Sequence, residues 1–328
     1  MSRLAAGIDL GGTSIKAGLV EEKDGLIFET SFDTGADNGP EHVLGQLAKA
    51  VKAVEAQGQG EEVLGVGIGA PGSINLDRTT ITRPPNFLGW GNVNISLELN
   101  RHHGITAPIL IENDANAAAL GSCFYGAGTE HDSFIMVTLG TGVGGAIIVN
   151  NTLFRGTSGG AGEIGHMTID YEGPFDRAGV AGAIEAYVGQ RFLSRHARYQ
   201  LMTLDRSIIH DRAGRDLLDI TPHMLYEAAK DGDTAAADVL AWAGHKLGCV
   251  LGSAVNLLDI RTIIVGGGLS GAGDLILEPA RHAIKRFVTP AFRENILIKE
   301  ETLGNDAGML GAARLVFEHL DEASPNRT

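Results

Sequence analysis

The hydrophobic pattern of the chain begins with two short apolar runs joined by a glycine turn. Residues 5–10 (AAGIDL) and 14–20 (SIKAGLV) flank Gly11-Gly12-Thr13, an arrangement typical of a strand, a tight turn and a second strand. The same order returns at residues 134–149, where FIMVTL and AIIV flank GTGVGG. The pattern therefore predicts two related lobes, each opening with this unit and both facing one ligand.

Other apolar runs predict helices and buried strands in alternation. In residues 40–56 the apolar positions recur every three or four residues, which predicts an amphipathic helix with Pro40 in its first turn. Residues 234–258 predict a longer helix, whereas 63–71 (VLGVGIGAP) and 108–113 (PILIEN) predict buried strands. Alternating strands and helices predict an α/β fold. The face that the first helix would bury consists of Val43, Leu44, Leu47, Ala50, Val51 and Val54.

Composition and charge exclude several functional classes. A chain of 328 residues that is 44% hydrophobic can bury a large core and is long enough for about two domains. Its formal net charge of −14 disfavours nucleic-acid and anionic-membrane binding, which need basic surfaces. The two cysteines, Cys123 and Cys249, lie in apolar segments and are expected to be reduced core thiols. Because no signal-peptide or membrane-spanning pattern occurs, the chain is expected to be cytoplasmic.

The first glycine turn carries a candidate phosphate site. The backbone N–H groups of Gly11, Gly12 and Thr13 can form a concave nest for phosphate oxygens. The Asp9 carboxylate at the end of the preceding strand can hold Mg²⁺ through water. Taken alone, these residues are also compatible with an ordinary glycine hairpin next to a solvated aspartate.

The second glycine turn, residues 140–145 (GTGVGG), fits two kinds of site. It can cradle phosphate, and it also matches the dinucleotide pattern G-x-G-x-x-G, with Glu163 near the distance of that motif's ribose-binding acid. The dinucleotide motif needs a helix after its glycines, whereas residues 146–149 (AIIV) predict a strand. A nicotinamide-cofactor site is therefore disfavoured. The chain has no G-x-x-x-x-G-K-[ST] motif, which excludes a P-loop.

A carboxylate that could act as a base follows the second buried strand. Asp114 stands in Glu112-Asn113-Asp114, directly before the small-residue helix start ANAAALG. Capping of that helix would by itself explain Asp114. Phosphoryl transfer to an alcohol, however, needs a phosphate cradle, a metal-supporting carboxylate and a base near the hydroxyl. The chain offers a candidate for each of these parts.

Residues 159–166 (GGAGEIGH) contain too many glycines for a stable helix but place Glu163 and His166 three positions apart. Both side chains could hydrogen-bond sugar hydroxyls, or the segment could be a flexible loop with a solvated glutamate and a partly buried histidine. Arg155, just upstream, is interpreted as a surface charge.

Together these segments resemble the repressor, open reading frame, kinase (ROK) family, a branch of the actin, hexokinase and heat-shock ATPase superfamily. The resemblance implies a two-lobed actin/hexokinase-like (ribonuclease H-like) α/β fold with an active-site cleft between the lobes. Residues 1–115, joined by a C-terminal helix at about 309–328, would form the small lobe, and residues 116–308 the large one. The resemblance rests on eight motifs, which occur in the family's order: GIDLGGTSIKAG, GAPGSIN, PNFLGW, ENDANAAALG, LGTGVGGAI, GGAGEIGH, AGVAGAIEAY and IIVGGG.

The resemblance implies an ATP- and Mg²⁺-dependent hexose kinase acting on the sugar 6-hydroxyl, with Asp114 as general base. Glucose is favoured because glucose phosphorylation is the family's commonest activity, and a homodimer is expected. The sugar contacts implied are Gly72, Ser73, Asn86, Asn113, Asp114, Glu163, His166 and Glu185. The nucleotide contacts implied are Asp9, which would also hold Mg²⁺, with Gly11, Gly12, Thr13, Gly140, Thr141, Gly142, Gly144, Gly266, Gly267 and Gly268.

One feature of the family is missing. Its members bind structural zinc through the histidine of the GH motif and three cysteines of C-x-C-G-x-x-G-C-x-E. The matching segment here, residues 176–185 (DRAGVAGAIE), keeps the glycines and the glutamate but has no cysteine. The chain is therefore expected to function without zinc, with His166 free to bond a sugar hydroxyl or Glu163. The residues expected to close the loop by apolar packing instead are Phe175, Val180, Ala183 and Ile184.

The sequence leaves the sugar and the phosphoryl donor open. Family members also use N-acetylglucosamine, N-acetylmannosamine, fructose or mannose, and polyphosphate could replace ATP. A sugar-sensing regulatory protein without catalysis is the alternative from another class. The family's repressors carry an N-terminal helix-turn-helix domain, for which a phosphate loop beginning at residue 9 leaves no room. A catalytically inactive protein would be expected to lose Asp9 or Asp114, and both are present.

Overall fold

A computed structural model describes residues 2–58, 60–204, 207–214 and 216–323. The strands are β1 (Leu4–Leu10), β2 (Ser14–Glu21), β3 (Gly25–Asp33), β4 (Val63–Ala70), β5 (Ser73–Ile74), β6 (Thr80–Thr82), β7 (Asn92–Asn94), β8 (Ile109–Asn113), β9 (Phe134–Leu139), β10 (Val143–Val149), β11 (Thr152–Leu153), β12 (Thr262–Gly266) and β13 (Leu297–Glu300). The helices are α1 (Pro40–Glu55), α2 (Ile95–His103), α3 (Asp114–Tyr125), α4 (Glu185–Val188), α5 (Gln190–Leu201), α6 (Ile208–Ala213), α7 (Pro222–Lys230), α8 (Thr234–Leu258), α9 (Asp274–Ile284) and α10 (Ala307–Ala323).

The chain folds into two compact units. The first comprises Met1–Asp132, Ile147–Ala161 and Asn305–Thr328, and the second Ser133–Ala146 and Gly162–Gly304. The boundary differs from the predicted one at residue 115, because α3 packs along α10 and so groups with the first unit.

The first unit is built on a five-stranded sheet in the order β3-β2-β1-β4-β8. Strand β1 runs antiparallel to β2 but parallel to β4, and β4 is parallel to β8. Asp9 therefore lies opposite Gly69, and Ala70 lies opposite Asn113. Because the carboxyl ends of parallel strands meet at one edge, Asp9 and Asn113 are brought to the same edge of this sheet.

Helices α1 and α10 supply most of the packing of this unit. The predicted apolar face of α1 is confirmed, since all six of its residues are buried. Leu310, Leu315 and Phe317 of α10 are buried as well, each contributing about 1.5–3 kcal/mol by the usual transfer energies. The approach of α10 to β4 requires glycine, because a Cβ on Gly67 would lie 1.7 Å from the carbonyl oxygen of Ala312.

The second unit contains most of a sheet in the order β11-β10-β9-β12-β13, in which β12 is parallel to both β9 and β13. Helix α8 has the predicted bounds, Thr234–Leu258, and packs on α9. A Cβ on Gly244 would lie 2.2 Å from the Ile276 carbonyl oxygen, so the two helices touch through their backbones. Long helices over a mixed sheet confirm the predicted α/β class.

Two expectations about membranes and thiols can be compared with the fold. No helix in the described part of the chain is long and apolar enough to cross a bilayer. Cys123 is buried, and burial raises the pKa of its thiol to about 11. Cys249 is only half-buried, so the prediction of two core thiols holds for Cys123 alone.

Candidate active site

In the first unit, the turn after β1 is fixed by two hydrogen bonds of Gly11, one through its N–H and one through its carbonyl group. The Gly11 N–H donates to the Ser14 carbonyl oxygen at 3.0 Å, and the Thr34 hydroxyl donates to the Gly11 carbonyl oxygen at 2.7 Å. A Cβ on Gly12 would meet only the Cβ of Asn86, at 4.0 Å. The turn thus has room above Gly12, as a phosphate-binding nest requires, and Asn86 is placed beside it.

The Asp9 carboxylate lies next to this turn in a tightly packed setting. A Cβ on Gly308, at the start of α10, would lie 3.3 Å from the Asp9 Cγ. Burial raises the pKa of Asp9 above its ordinary value, and the positive charge of Lys16 only partly opposes this shift. A half-buried carboxylate with a raised pKa is stabilised in its ionised form by a cation, which suits a residue that would support magnesium.

At the start of α3, one residue caps the helix and the next is the candidate base. Asn113 is the N-cap, since its Oδ1 accepts from the N–H groups of Ala115 at 3.0 Å and Asn116 at 3.2 Å. Its Nδ2 donates to the Gly72 carbonyl oxygen at 3.3 Å, which joins two predicted sugar contacts. Asp114 is the first residue of the helix and is exposed. Asp114 is therefore not the N-cap, although its Oδ1 also accepts from the Ala115 N–H at 2.8 Å.

Arg155 is not a surface charge, contrary to the sequence interpretation. Its Nε donates to Glu112 Oε2 at 2.7 Å, and the two side chains are only 18% and 4% exposed. No local pattern predicts this pair, because Arg155 lies in a turn far along the chain from Glu112.

In the second unit, the other glycine turn joins β9 to β10. A strand, not a helix, follows its glycines, which excludes the dinucleotide alternative. The Val143 N–H donates to Glu185 Oε2 at 3.1 Å, and a Cβ on Gly142 would lie 2.3 Å from the same oxygen. Glu185, predicted as a sugar contact, thus packs directly on this turn.

A cavity of about 440 Å³ opens next to this turn and the glycines that follow β12. Gly267 adopts φ +86° so that the chain can pass the Leu139 carbonyl oxygen, which leaves Gly268 lining the cavity together with Gly140. The sequence analysis missed the remaining wall, at the start of α7, because residues 194–233 are polar and mixed in charge. The cavity is lined by Gly140, Gln190, Thr221, Pro222, His223, Tyr226, Gly268, Leu269, Gly271 and Ala272.

The loop at 162–166 lies against the start of β10. A Cβ on Gly165 would lie 1.9 Å from the Val143 carbonyl oxygen, so glycine is needed for this approach. Glu163 and His166 consequently lie beside the second glycine turn, with His166 Nε2 at 3.8 Å from Glu163 Oε2. Glu163 is 58% exposed and His166 35%, so both remain accessible to a ligand.

A polar contact stands where the family would bind zinc. His166 Nδ1 lies 2.6 Å from Asp176 Oδ2, and Asp176 Oδ1 accepts from the Val180 N–H at 2.8 Å. Within the described residues no group of three or more histidine, cysteine or acidic side chains is placed to hold a metal, so the donor set does not fit tetrahedral zinc. Ala183 and Ile184 are buried as predicted, whereas Phe175 is 65% exposed. The expected apolar closure is therefore only half right.

The model of the ROK family matches residues 5–319. The chain belongs to the ROK family. This ROK chain is 33% identical to the glucokinase of Thermotoga maritima over 314 residues, which cover 96% of this chain and 97% of that protein. It is also 30% identical to the xylose repressor of Caldicellulosiruptor bescii, over 96% of this chain and 78% of the repressor.

Solved structures agree with this assignment. A ROK glucokinase from Streptomyces griseus in complex with glucose and AMPPNP superimposes with a TM-score of 0.84 at 33% identity, covering 96% of this chain and 99% of that one. The likeness confirms the predicted two-lobed, actin-like fold of this ROK chain.

Proposed function

We propose that this chain is a glucokinase that transfers the γ-phosphoryl group of ATP to the 6-hydroxyl of glucose. The observation that carries the proposal is the arrangement at one edge of the first sheet. There Asp9 beside an open glycine turn and Asn113-Asp114 at the start of α3 lie at the carboxyl ends of β1 and β8, the two strands that flank β4. The likeness to the Thermotoga maritima glucokinase and to the glucose-bound Streptomyces griseus glucokinase supports the same reaction.

In this proposal Asp114 is the general base. The exposed carboxylate takes the proton of the 6-hydroxyl as that oxygen attacks the γ-phosphorus, the bond to the bridging oxygen breaks, and ADP leaves. A base of this kind contributes about 10²–10⁴-fold to the rate. Asn113 holds the sugar next to it, and its bond to Gly72 and its capping bonds fix the amide in place.

Each unit carries further residues that the proposal assigns to the sugar. Asn86 and Ser73 belong to the first unit, and Glu163, His166 and Glu185 to the second. Magnesium would neutralise phosphate charge when bound with the nucleotide, and Asp9 is the residue that would support it through water.

ATP is favoured over polyphosphate as the donor because of the cavity beside Gly140 and Gly268. Polyphosphate offers only charged groups, whereas this cavity has aromatic and apolar walls, including Tyr226 and Leu269. A space of about 440 Å³ next to a glycine turn suits a nucleoside whose phosphates continue over the turn.

A coupled ADP-release assay across a sugar panel tests the proposal. Glucose, mannose, fructose, N-acetylglucosamine and N-acetylmannosamine are each offered with ATP or with polyphosphate, in the presence of Mg²⁺. The expected result is the highest kcat/KM for glucose with ATP. Glucose binding without turnover on any sugar would instead support the regulatory alternative, to which the repressor relative points.

A further inference from the structure

The pair formed by Arg155 and Glu112 adjoins the first turn of α3, which carries the candidate base. Glu112 Oε2 accepts from Arg155 Nε at 2.7 Å, while Glu112 Oε1 accepts from the Asn113 N–H and from Asn116 Nδ2, both at 3.0 Å. One carboxylate therefore binds a cation on one side and the first turn of α3 on the other.

The backbone that carries Arg155 is also fixed. Its carbonyl oxygen accepts from the Ala161 N–H at 3.2 Å, and a Cβ on Gly159 would lie 2.8 Å from the Ile74 carbonyl oxygen. The loop at 155–161 is thus closed on itself and packed close to β5, next to Gly72. Arg155 reaches Glu112 from a rigid position, so the carboxylate has little freedom to turn away from Asn113.

Stability alone is a weak explanation for this pair. Buried ion pairs often stabilise a fold no more than apolar residues of the same volume, because both charges lose their hydration. Here the cost is increased, since Arg155 Nη2 and Asn116 Oδ1 are buried without a hydrogen-bond partner among the described residues. Polar groups kept at such a cost are frequent at functional sites.

We propose that Arg155 is a positioning residue for the kinase reaction. It acts through Glu112 to hold Asn113 and Asp114 where they can contact the sugar. Arg155 bonds Glu112, Glu112 bonds the N–H of Asn113, and Asn113 caps the helix whose first residue is Asp114. Misplacement of a reacting group by about 1 Å costs on the order of 10²-fold in rate. The inference rests on the proposed function, because it assigns a role within the same site.

The test compares Arg155→Met with Arg155→Lys and with a matched control, Arg314→Met. Arg314 is a similarly buried arginine of the same unit, 14% exposed, whose Nη1 lies 3.2 Å from Glu22. Its guanidinium packs on the Phe124 ring, at the opposite end of α3 from Asn113 and Asp114. We expect Arg155→Met to lower kcat about 10–100-fold and to weaken glucose binding, with the KM for ATP changed less than about twofold. Lysine at 155 should restore part of the loss, and Arg314→Met should keep kcat within about twofold.

A second variant separates positioning from folding. Arg155→Met removes the cation paired with Glu112 and leaves Arg78 nearby, whereas Arg155→Met/Glu112→Met removes both charges of the pair. The double variant should fold, by circular dichroism and urea unfolding, and keep the low kcat. Wild-type kcat in either variant, an equal loss in Arg314→Met, or no rescue by lysine would overturn the proposal.

Failure of the proposed function would show differently, as absence of turnover in the wild-type protein. Calorimetric titration of glucose into wild-type and Arg155→Met protein then still measures whether Arg155 positions Asn113. A loss of glucose affinity of about tenfold supports the positioning role, and equal affinities refute it.

Discussion

Replacing Asp176 by asparagine tests how His166 is held. The Asp176 side chain is fully buried, and its carboxylate faces both His166 Nδ1 and the Val180 N–H. Burial by itself would raise the pKa of Asp176, but the bonds from Val180 and His166 outweigh it and the pKa is lowered. The carboxylate is therefore ionised at neutral pH and accepts a hydrogen bond from the Nδ1–H group of His166. In that tautomer Nε2 is a hydrogen-bond acceptor.

The expected changes in the free energy of unfolding and in the glucose KM follow from these contacts. An asparagine of the same shape can still accept from Val180, but its Nδ2–H₂ group would face His166 Nδ1 and favour the opposite tautomer. One charge-assisted hydrogen bond is lost, so the free energy of unfolding should fall by about 1.5–3 kcal/mol. If Nε2 accepts from a sugar hydroxyl, its change to a donor should raise the glucose KM about tenfold, which corresponds to about 1.4 kcal/mol.

The assay pairs urea unfolding with glucose saturation curves at fixed ATP. Asp274→Asn is the control, because Asp274 is a 79% exposed carboxylate paired with Arg281, and both quantities should stay close to wild type. An unchanged glucose KM in folded Asp176→Asn protein would refute the orienting role. A fall in stability without a change in KM would limit Asp176 to holding its loop.

Three further predictions concern the base, the first phosphate turn and zinc. Asp114→Asn should fold normally and bind glucose but lose about 10²–10⁴-fold in kcat, and wild-type turnover would remove Asp114 from catalysis. Because burial raises the pKa of Asp9, protonation begins at a higher pH than for an exposed aspartate. The kcat/KM for ATP should therefore fall early on acidification, and an acid limb that is unchanged in Asp9→Asn would contradict this origin. Elemental analysis should find no stoichiometric zinc, and activity should survive chelation once Mg²⁺ is restored; irreversible unfolding on zinc removal would contradict the prediction.

The regular elements of the fold were predictable because their patterns are local. The spacing of Val43, Leu47 and Val54 determines one face of α1, and a strand after the glycines at 140–145 already argued against a dinucleotide site. The glycine turns and the Asn113-Asp114 pair were located in the same way, since each is a short contiguous motif.

The contacts that orient these motifs could not be predicted, because they depend on residues far apart in sequence. Nothing local to Arg155 indicates that Glu112 will lie 2.7 Å from its Nε. The closure of the loop at 174–182 was mispredicted for a different reason. In its short antiparallel pairing, with Phe175 opposite Ala181, the inward position belongs to Asp176 and Phe175 faces solvent.

The central claim is that glucose receives a phosphoryl group from ATP, and ³¹P NMR of the reaction mixture tests it most directly. With catalytic amounts of the protein, ATP, Mg²⁺ and glucose, the γ-phosphate signal should disappear while a phosphomonoester on C6 of glucose and ADP appear in equal amounts. ADP formed with free inorganic phosphate, or glucose binding with no loss of ATP, would contradict the assignment as a glucokinase.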